Sequence, residues 1–323
     1  LNKFMATYKE IRGVNIQSLD ADPTAVEGDV WYNATTSVLK MYAAINAWSS
    51  GGNSNTARSA HGAAGTQTAG FIFSGNGPPP GHTVNAETYD GSSWTEVNNV
   101  VDSRANVSGL GTQAAALMAG GVSPGATANS EEWDGTNWAE GDNLNTARYG
   151  LRGCGTQTAG LVFGGYTTPP GTTRDETEEY NGTSWSEQND LNQAKDSGMS
   201  AGTQTAGLGA AGYADGSGSL VDSEEYDGTS WTEGNNINTA RYALAGAGLQ
   251  TAGLAFGGTS PNEGMTENYD GTSWTEVADM AAGRTSSAGA GTNTTAFANG
   301  GGTIVVTTEE WSGVASVETV AFD

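Results

Sequence analysis

Two kinds of ionisable residue recur at fixed positions along the chain and could form six ion pairs. A glutamate stands two residues before an aromatic residue at six places, and a basic residue follows a tryptophan by ten residues at six places. The glutamates are Glu87, Glu131, Glu178, Glu224, Glu267 and Glu309, and the basic residues are Arg58, Arg104, Arg148, Lys195, Arg241 and Arg284. We expect a ring of structural ion pairs that ties successive repeats together. The alternative is a ring of arginines that binds an anion.

Residues suited to catalysis are few. The two histidines, His61 and His82, lie in different kinds of element, and the single cysteine, Cys154, stands where other repeats have alanine. We therefore expect Cys154 to be a small strand residue. The chain has no recognisable nucleophile–His–Asp set and no zinc-ligand spacing, so we expect no enzyme activity, no metal and no cofactor.

The charge balance excludes several classes of partner. The chain has 12 Lys and Arg against 36 Asp and Glu, a formal net charge of -24. Nucleic acids and anionic membrane surfaces attract basic proteins, so neither is expected as a partner. The sequence contains no apolar run long enough to span a membrane, and we expect no membrane insertion. Residues 1–4 precede Met5, which we expect to be the natural start.

These residues sit in an internal repeat. A Gly-Thr-Gln-Thr-like element begins at six glycines that lie 43 to 47 residues apart. The glycines are Gly65, Gly111, Gly155, Gly202, Gly248 and Gly291. An aromatic-Asp/Asn-Gly-x-x-Trp element such as 89–94 follows five of them, and the copy from Trp311 is degenerate. A period of this length is typical of solenoids and propellers.

Each repeat reads as four short strands, here called a, b, c and d. In the fifth repeat we predict strand a over 242–247, a turn at 248–250, strand b over 251–256 and strand c over 266–269. Asp270-Gly271 then predicts a tight hairpin before strand d, because glycine tolerates positive φ. Four strands per repeat indicate the blades of a propeller.

At these positions the chain resembles the Kelch repeat. Kelch units carry a basic residue before strand a, a Gly-Gly pair after strand b, and a Tyr and a Trp flanking the c–d hairpin. Four repeats have the glycine pair, as at Gly120-Gly121, whereas the first and fourth have Ser74-Gly75 and Ala211-Gly212. The resemblance implies an all-β fold, a six-bladed β-propeller of four-stranded blades over residues 47–323, and leaves function open.

The first 46 residues differ from the repeats. Residues 28–33 and 38–42 read as a β-hairpin, and they resemble a short element of bacteriophage tail-fibre and other virion proteins. The Thr/Ala/Gly-rich repeats are similar to those in virion proteins of marine tailed phages. This resemblance implies an attachment segment over 1–46, other virion proteins as partners, and an external position on the virion, such as the tail.

Two segments compete to supply strand d of the sixth repeat. Residues 47–50 contain Trp48, which keeps the ten-residue spacing to Arg58, and residues 316–322 alternate like a strand. We favour the first segment, in which case the second adds a further strand or a docking tail.

The loops between strands b and c vary most among the repeats, and loops on a rigid scaffold commonly carry recognition. Their Tyr, His and Asn side chains would suit contacts with a sugar. The candidate ligand-binding residues are Pro79, His82, Asn85, Tyr166, Pro169, Arg174, Tyr213 and Asn262. The alternative is that these loops merely tolerate change.

The expected function is a phage virion protein that binds a host-surface polysaccharide or protein through its b–c loops. One alternative is a structural or decoration protein of the virion without receptor binding. Another is a bacterial Kelch-type protein-interaction module, and a glycan-cleaving enzyme comes after both.

Overall fold

The computed structural model describes residues 16–24, 29–44, 46–78, 81–168, 171–259, 261, 263–313 and 315–319. Within these ranges the chain forms strands, turns and loops and no helix, so the expectation of an all-β protein is confirmed. The chain divides into two compact units, a larger one of Asn46–Ser312 and a smaller one that joins Leu1–Ile45 to Gly313–Asp323. Met5 lies outside the described residues.

The smaller unit contains one four-stranded sheet built from both ends of the chain. Its strands are β1 (Gln17–Leu19), β2 (Val30–Asn33), β3 (Val38–Ala44) and the last strand of the chain, β32 (Ala315–Thr319). Strands β2 and β3 form the hairpin that the sequence predicts, and β32 pairs antiparallel with β3. The C-terminal segment therefore belongs to this sheet, and the repeat unit ends at residue 312 rather than at 323 as expected.

The larger unit contains six four-stranded sheets in its described residues, numbered 1 to 6 in chain order. After β4 (Ala47–Ser50), sheet 1 has β5 (Gly62–Thr66), β6 (Ala69–Phe73), β7 (Ala86–Tyr89) and β8 (Trp94–Val97), and sheet 2 has β9 (Ser108–Gly111), β10 (Ala116–Ala119), β11 (Ser130–Trp133) and β12 (Trp138–Glu140). Sheet 3 has β13 (Arg152–Thr156), β14 (Ala159–Phe163), β17 (Thr177–Tyr180) and β18 (Trp185–Glu187), with the small hairpin β15 (Tyr166–Thr167) and β16 (Thr172–Thr173) between β14 and β17.

The second half of the unit repeats this plan. Sheet 4 has β19 (Met199–Thr203), β20 (Ala206–Ala210), β23 (Ser223–Tyr226) and β24 (Trp231–Glu233), with the hairpin β21 (Tyr213–Ala214) and β22 (Gly218–Ser219). Sheet 5 has β25 (Leu244–Leu249), β26 (Ala252–Gly257), β27 (Thr266–Tyr269) and β28 (Trp274–Glu276). Sheet 6 has β29 (Ala288–Gly291), β30 (Thr295–Asn299) and β31 (Thr308–Ser312).

Strand β4 completes sheet 6, because it pairs antiparallel with β31 and sets Trp48 opposite Trp311. The preference for residues 47–50 over the C-terminal segment is therefore confirmed. The predicted strand a of the fifth repeat ends too early, since β25 continues to Leu249 and the turn is at 250–251. Gly248 has a φ of 103° but stays in the ladder opposite Gly253.

The core lies between neighbouring sheets. The second strand of each sheet, such as β6 or β14, is almost wholly buried, whereas each short fourth strand buries only its tryptophan. In sheet 1 the rings of Tyr89 and Trp94 stack with centroids 4.6 Å apart, and both pack against Phe297 of sheet 6. Large rings thus fill the space between neighbouring sheets.

Backbone hydrogen bonds connect the six sheets in a closed cycle. Two residues after each basic residue stands a residue with φ between 50° and 66°, and its N–H donates to the carbonyl of the equivalent residue in the preceding repeat. The six donors, which we call the belt, are Ala60, Asn106, Gly150, Ser197, Ala243 and Ser286. Ala60 donates to Ser286, so the chain of bonds returns to its start. This cycle is consistent with a propeller-like arrangement.

A second set of backbone bonds joins each sheet to the next. The glycine at the second position of the pair after strand b donates its N–H to the carbonyl of the basic residue of the following repeat. Gly121, for example, donates to Arg148. The first position of the pair takes positive φ in all six repeats, including Ser74 at 59° and Ala211 at 57°. The two departures from the glycine pattern therefore keep the same backbone conformation, and the Ser74 hydroxyl donates to the Arg104 carbonyl at 2.6 Å.

Glutamine side chains make a third connection between sheets. In five repeats the glutamine at the a–b turn donates its Nε2 to two carbonyls of the preceding sheet, as Gln204 does to Gly160 and Tyr180 at 3.2 and 2.8 Å. The five are Gln67, Gln113, Gln157, Gln204 and Gln250. The sixth repeat has the shorter Asn293, whose Nδ2 lies 3.4 Å from the Asn268 side chain instead.

Candidate functional site

All six predicted pairs of basic residue and glutamate lie at ion-pair distance. The N–O separations range from 2.5 Å for Arg58–Glu87 and Arg241–Glu267 to 3.2 Å for Arg104–Glu131. The others are Arg148–Glu178, Lys195–Glu224 and Arg284–Glu309. Each pair joins strand c to the segment just before strand a of the same sheet, so the expected ion pairs are present and the ionic contact itself lies within one sheet.

The glutamates also hold the chain that arrives from the preceding sheet. Glu87 accepts hydrogen bonds from the backbone N–H groups of Asn55 and Thr56 at 2.6 and 3.0 Å, and from the Asn55 side chain at 2.9 Å. Residues Asn145, Asn192 and Asn238 repeat this contact. Each of the six carboxylates therefore has its charge paired and accepts at least one backbone hydrogen bond from the segment that precedes its basic residue. The six basic residues are neutralised in place, which disfavours an anion-binding ring made from them.

The predicted loop residues fall into separate places. Pro79, Pro169 and Asn262 lie outside the described residues. His82 and Asn85 belong to the b–c loop of sheet 1. The backbone of His82 forms an antiparallel β-bridge with Asn76, and the Asn85 carbonyl accepts a hydrogen bond from Arg58 at 2.8 Å. The Asn85 amide also donates to Thr56 at 2.8 Å, so this side chain serves the fold. No hydrogen bond or ring contact in the described chain joins these two residues to the other candidates.

Arg174 is paired within its own loop. Its Nε donates to Glu176 at 2.9 Å and its Nη2 to the second oxygen of the same carboxylate. The Arg174 side chain is 35% exposed, so this pair remains accessible to solvent. Fork-to-carboxylate pairing holds the guanidinium in one orientation.

Tyr166 and Tyr213 each pack, in tilted or edge-to-face geometry, against a tyrosine that the sequence analysis did not predict. Tyr166 contacts Tyr149 with ring centroids 5.5 Å apart, and Tyr213 contacts Tyr242 of the next repeat at 5.3 Å. All four rings are partly exposed. Tyr149 and Tyr242 directly follow Arg148 and Arg241. Both could therefore have been predicted from the sequence by inspecting the position after each basic residue.

Asp196 brings the two tyrosine pairs together. It occupies the position after Lys195, forms a backbone bridge with Tyr213, and lies close enough to Tyr149 to act on its hydroxyl. Burial, then Tyr166 and Asp196, raises the pKa of Tyr149 above its usual value. Burial likewise raises the pKa of Asp196, which the serine beside it partly opposes. We call Tyr149, Tyr166, Asp196, Tyr213 and Tyr242 the tyrosine cluster.

The loops that carry the tyrosine cluster are bonded to each other. The Thr173 N–H in hairpin β15–β16 donates to the Asp215 carboxylate at 2.9 Å, and the Asp215 N–H donates back to the Thr173 hydroxyl at 3.3 Å. Asp215 lies at the tip of hairpin β21–β22. Two antiparallel hairpins joined in this way hold the backbone of Tyr166 and Tyr213 in place.

The remaining reactive residues are buried apart from one another. His61 precedes β5 and is 4% exposed, and its burial holds its pKa well below the usual value. Cys154 lies on β13 as a small buried residue, and burial raises the pKa of its thiol to about 12. In the described ranges no three His, Cys, Asp or Glu side chains come together as a metal site would require. No helix that could cross a membrane is found in the part of the chain described.

Comparison of the chain with protein-family models and with curated protein sequences finds no match.

Proposed function

We propose that the larger unit is a six-bladed, Kelch-like β-propeller whose blades are sheets 1 to 6. Six sheets with the same strand order, the closed cycle of the belt and the completion of sheet 6 by β4 support this proposal. The basic residue before strand a, the positive-φ pair after strand b and the Tyr and Trp of the c–d hairpin are the features that resemble Kelch units.

We further propose that this propeller binds a host-surface glycan through its b–c loops. The observation that carries this proposal is the tyrosine cluster, which groups four partly exposed rings with one carboxylate across sheets 3 to 5. Tyrosine offers an apolar ring face and a polar hydroxyl, which suits the C–H and O–H groups of a sugar. A carboxylate beside the rings accepts hydrogen bonds from sugar hydroxyls.

The proposed setting is the outside of a tailed-phage virion, such as the tail, with residues 1–46 as the attachment segment to other virion proteins. This part of the proposal rests on the resemblance of the N-terminal hairpin and of the repeats to virion proteins. The net charge of -24 suits a dispersed, exposed protein rather than one that packs against nucleic acid.

The test is binding of the full chain to an array of bacterial surface polysaccharides, beside the variants Y149A and Y213A. Each variant removes one ring of a packed tyrosine pair, and we expect the affinity for a bound glycan to fall at least about tenfold. The matched control is L249S, which changes an exposed side chain at the end of β25 in sheet 5 and should bind like the parent.

Unchanged binding in Y149A and Y213A would reject the tyrosine cluster as the site. If the parent binds no glycan, the structural or decoration role becomes the better reading. Binding to a protein instead of a glycan would favour the Kelch-type interaction module.

A further inference from the structure

A small cavity lies where the innermost strands of the larger unit meet. Its volume is about 50 Å³, and residues from all six repeats line it. They include His61, Ser108, Arg152, Ser200, Ala245 and Ser287. Space for a water requires roughly 10–15 Å³ by this measure, so the cavity has room for a small ion together with water.

Arg152 gives this cavity an uncompensated positive charge. It is the only Lys or Arg among the described residues that has no carboxylate within 4.0 Å, although acidic residues outnumber basic ones threefold in the chain. Its Nε donates to the Gly198 carbonyl at 2.5 Å and its Nη2 to the Leu244 carbonyl at 3.4 Å. These neutral partners orient the guanidinium without cancelling its charge.

The other charges near the cavity do not replace a counter-ion. Asp196 is the carboxylate that acts on Arg152, but it lies beyond ion-pair distance and its own burial disfavours its charged form. Arg58, which acts on His61, is already neutralised by Glu87 at 2.5 Å. Burial lowers the pKa of Arg152 to about 10, so the guanidinium still carries its charge at neutral pH.

Two serine hydroxyls in the cavity wall lack a partner. Ser108 and Ser287 are 3% and 5% exposed, and the Oγ of each makes no hydrogen bond within the described chain. A buried hydroxyl without a partner is costly, and such groups usually point to an unseen water or ion. Arg152, Ser108 and Ser287 all line this cavity, so one small space is bordered by a cation and by two residues whose hydroxyls lack a partner.

We propose that the cavity binds a small monovalent anion of the halide class, held by the Arg152 guanidinium and the hydroxyls of Ser108 and Ser287. A halide accepts hydrogen bonds from all three groups and is small enough for a space of about 50 Å³. Its charge compensates Arg152 at the point where six strands converge. The bound ion stabilises the folded unit, because a ligand that binds only the folded state raises its stability. This inference is independent of the proposed glycan binding.

The first test is a crystal of the full chain grown in sodium bromide and measured at the bromine absorption edge. We expect an anomalous peak in the cavity within hydrogen-bonding distance of the Arg152 guanidinium. A water in the cavity and no anomalous peak would overturn the proposal.

The second test compares thermal unfolding in sodium bromide and in sodium gluconate at equal ionic strength, which keeps general screening of the -24 charge constant. We expect Tm to be several degrees higher in bromide and to rise with the logarithm of its concentration. R152Q should lose this dependence, whereas the control R174Q, which changes the partly exposed arginine of a b–c loop, should keep it. Equal bromide dependence in R152Q and the parent would overturn the proposal. If R152Q does not fold, the anomalous map of the parent decides.

Discussion

Sheets 2 and 3 share one strand plan but differ in how well their buried polar groups are satisfied. In sheet 3, Arg148 donates to Glu178 at 2.8 Å and to the carbonyls of Gly164 and Glu176. In sheet 2, Arg104 lies 3.2 Å from Glu131, and none of its three side-chain nitrogens makes a hydrogen bond. The ion pair is thus present in both sheets but well formed in only one.

The tryptophan of strand d shows the same contrast. Five of these tryptophans donate Nε1 to the preceding sheet, through a Ser or Thr hydroxyl at the start of strand c, and Trp185 also reaches the Asp142 carbonyl. Trp138 of sheet 2 has no partner, because sheet 1 has Ala86 at that position.

The aromatic residue of strand c follows a related rule. Where it is tyrosine, its hydroxyl meets a glutamate of the preceding sheet, as Tyr226 meets Glu179 at 3.0 Å. Tyr89, Tyr180 and Tyr269 make the same contact with Glu310, Glu132 and Glu225. The two repeats with tryptophan there, Trp133 and Trp311, face preceding sheets with Thr88 and Asn268 instead. Apolar packing and backbone hydrogen bonds are therefore common to all six repeats. The side-chain hydrogen bonds differ from one pair of neighbouring sheets to the next, and the residues on the two sheets change together.

The largest effect on stability is expected from removing the carboxylate of the ion pair in sheet 3, compared with the same change in sheet 2. E178Q leaves Arg148 charged and buried, and we expect it to lower the free energy of unfolding by about 3–5 kcal/mol. E131Q should cost at least about 1 kcal/mol less, because Arg104 has no hydrogen bond to that carboxylate to lose. Urea unfolding of both variants measures the difference.

R174Q is the control for this comparison, since it breaks a partly exposed pair and should cost less than about 1 kcal/mol. Equal losses in E178Q and E131Q would show that the hydrogen bonds of Arg148 add nothing to the charge pairing.

A second test removes the tryptophan hydrogen bond between sheets 3 and 4, so that this interface resembles the one between sheets 1 and 2, where Trp138 has no partner. Thr177 is fully buried and accepts the Trp231 Nε1 donor at 2.9 Å. T177V keeps the shape and removes the acceptor, so a loss of about 1–3 kcal/mol in unfolding free energy is expected. T177S keeps an acceptor and should recover most of that loss. A T177V protein as stable as the parent would mean that these tryptophan bonds carry no net stability.

Much of this framework was readable from the sequence, because the decisive side chains recur in register. The basic residue and the glutamate keep fixed positions before strand a and on strand c, which was enough to predict their pairing. Their placement within one sheet was not readable, since it depends on where the connecting segment runs. Gln204 and its equivalents were visible in the repeat, but their role needs the distance between neighbouring sheets.

Other structural features could not be predicted from the identity of the residues. The belt position takes positive φ with Ala, Asn, Gly or Ser, so no single residue marks it. The tyrosine cluster was only half predicted, because Tyr149 and Tyr242 follow the basic residue rather than lie in a b–c loop. Asn85 looked like a ligand residue and instead bonds to Thr56.

The smallest expected effect is a gain in stability from repairing the interface between sheets 1 and 2. A86S gives Trp138 the hydroxyl that Ser223 gives Trp274 at 3.0 Å, and we expect a gain of about 0.5–1.5 kcal/mol in unfolding free energy. The same substitution in a W138F background has no donor to satisfy, so the gain should disappear and a double-mutant cycle should isolate it. If A86S lowers stability equally in both backgrounds, the buried site has no room for the hydroxyl, and the alanine belongs to the packing of sheet 1 against sheet 2.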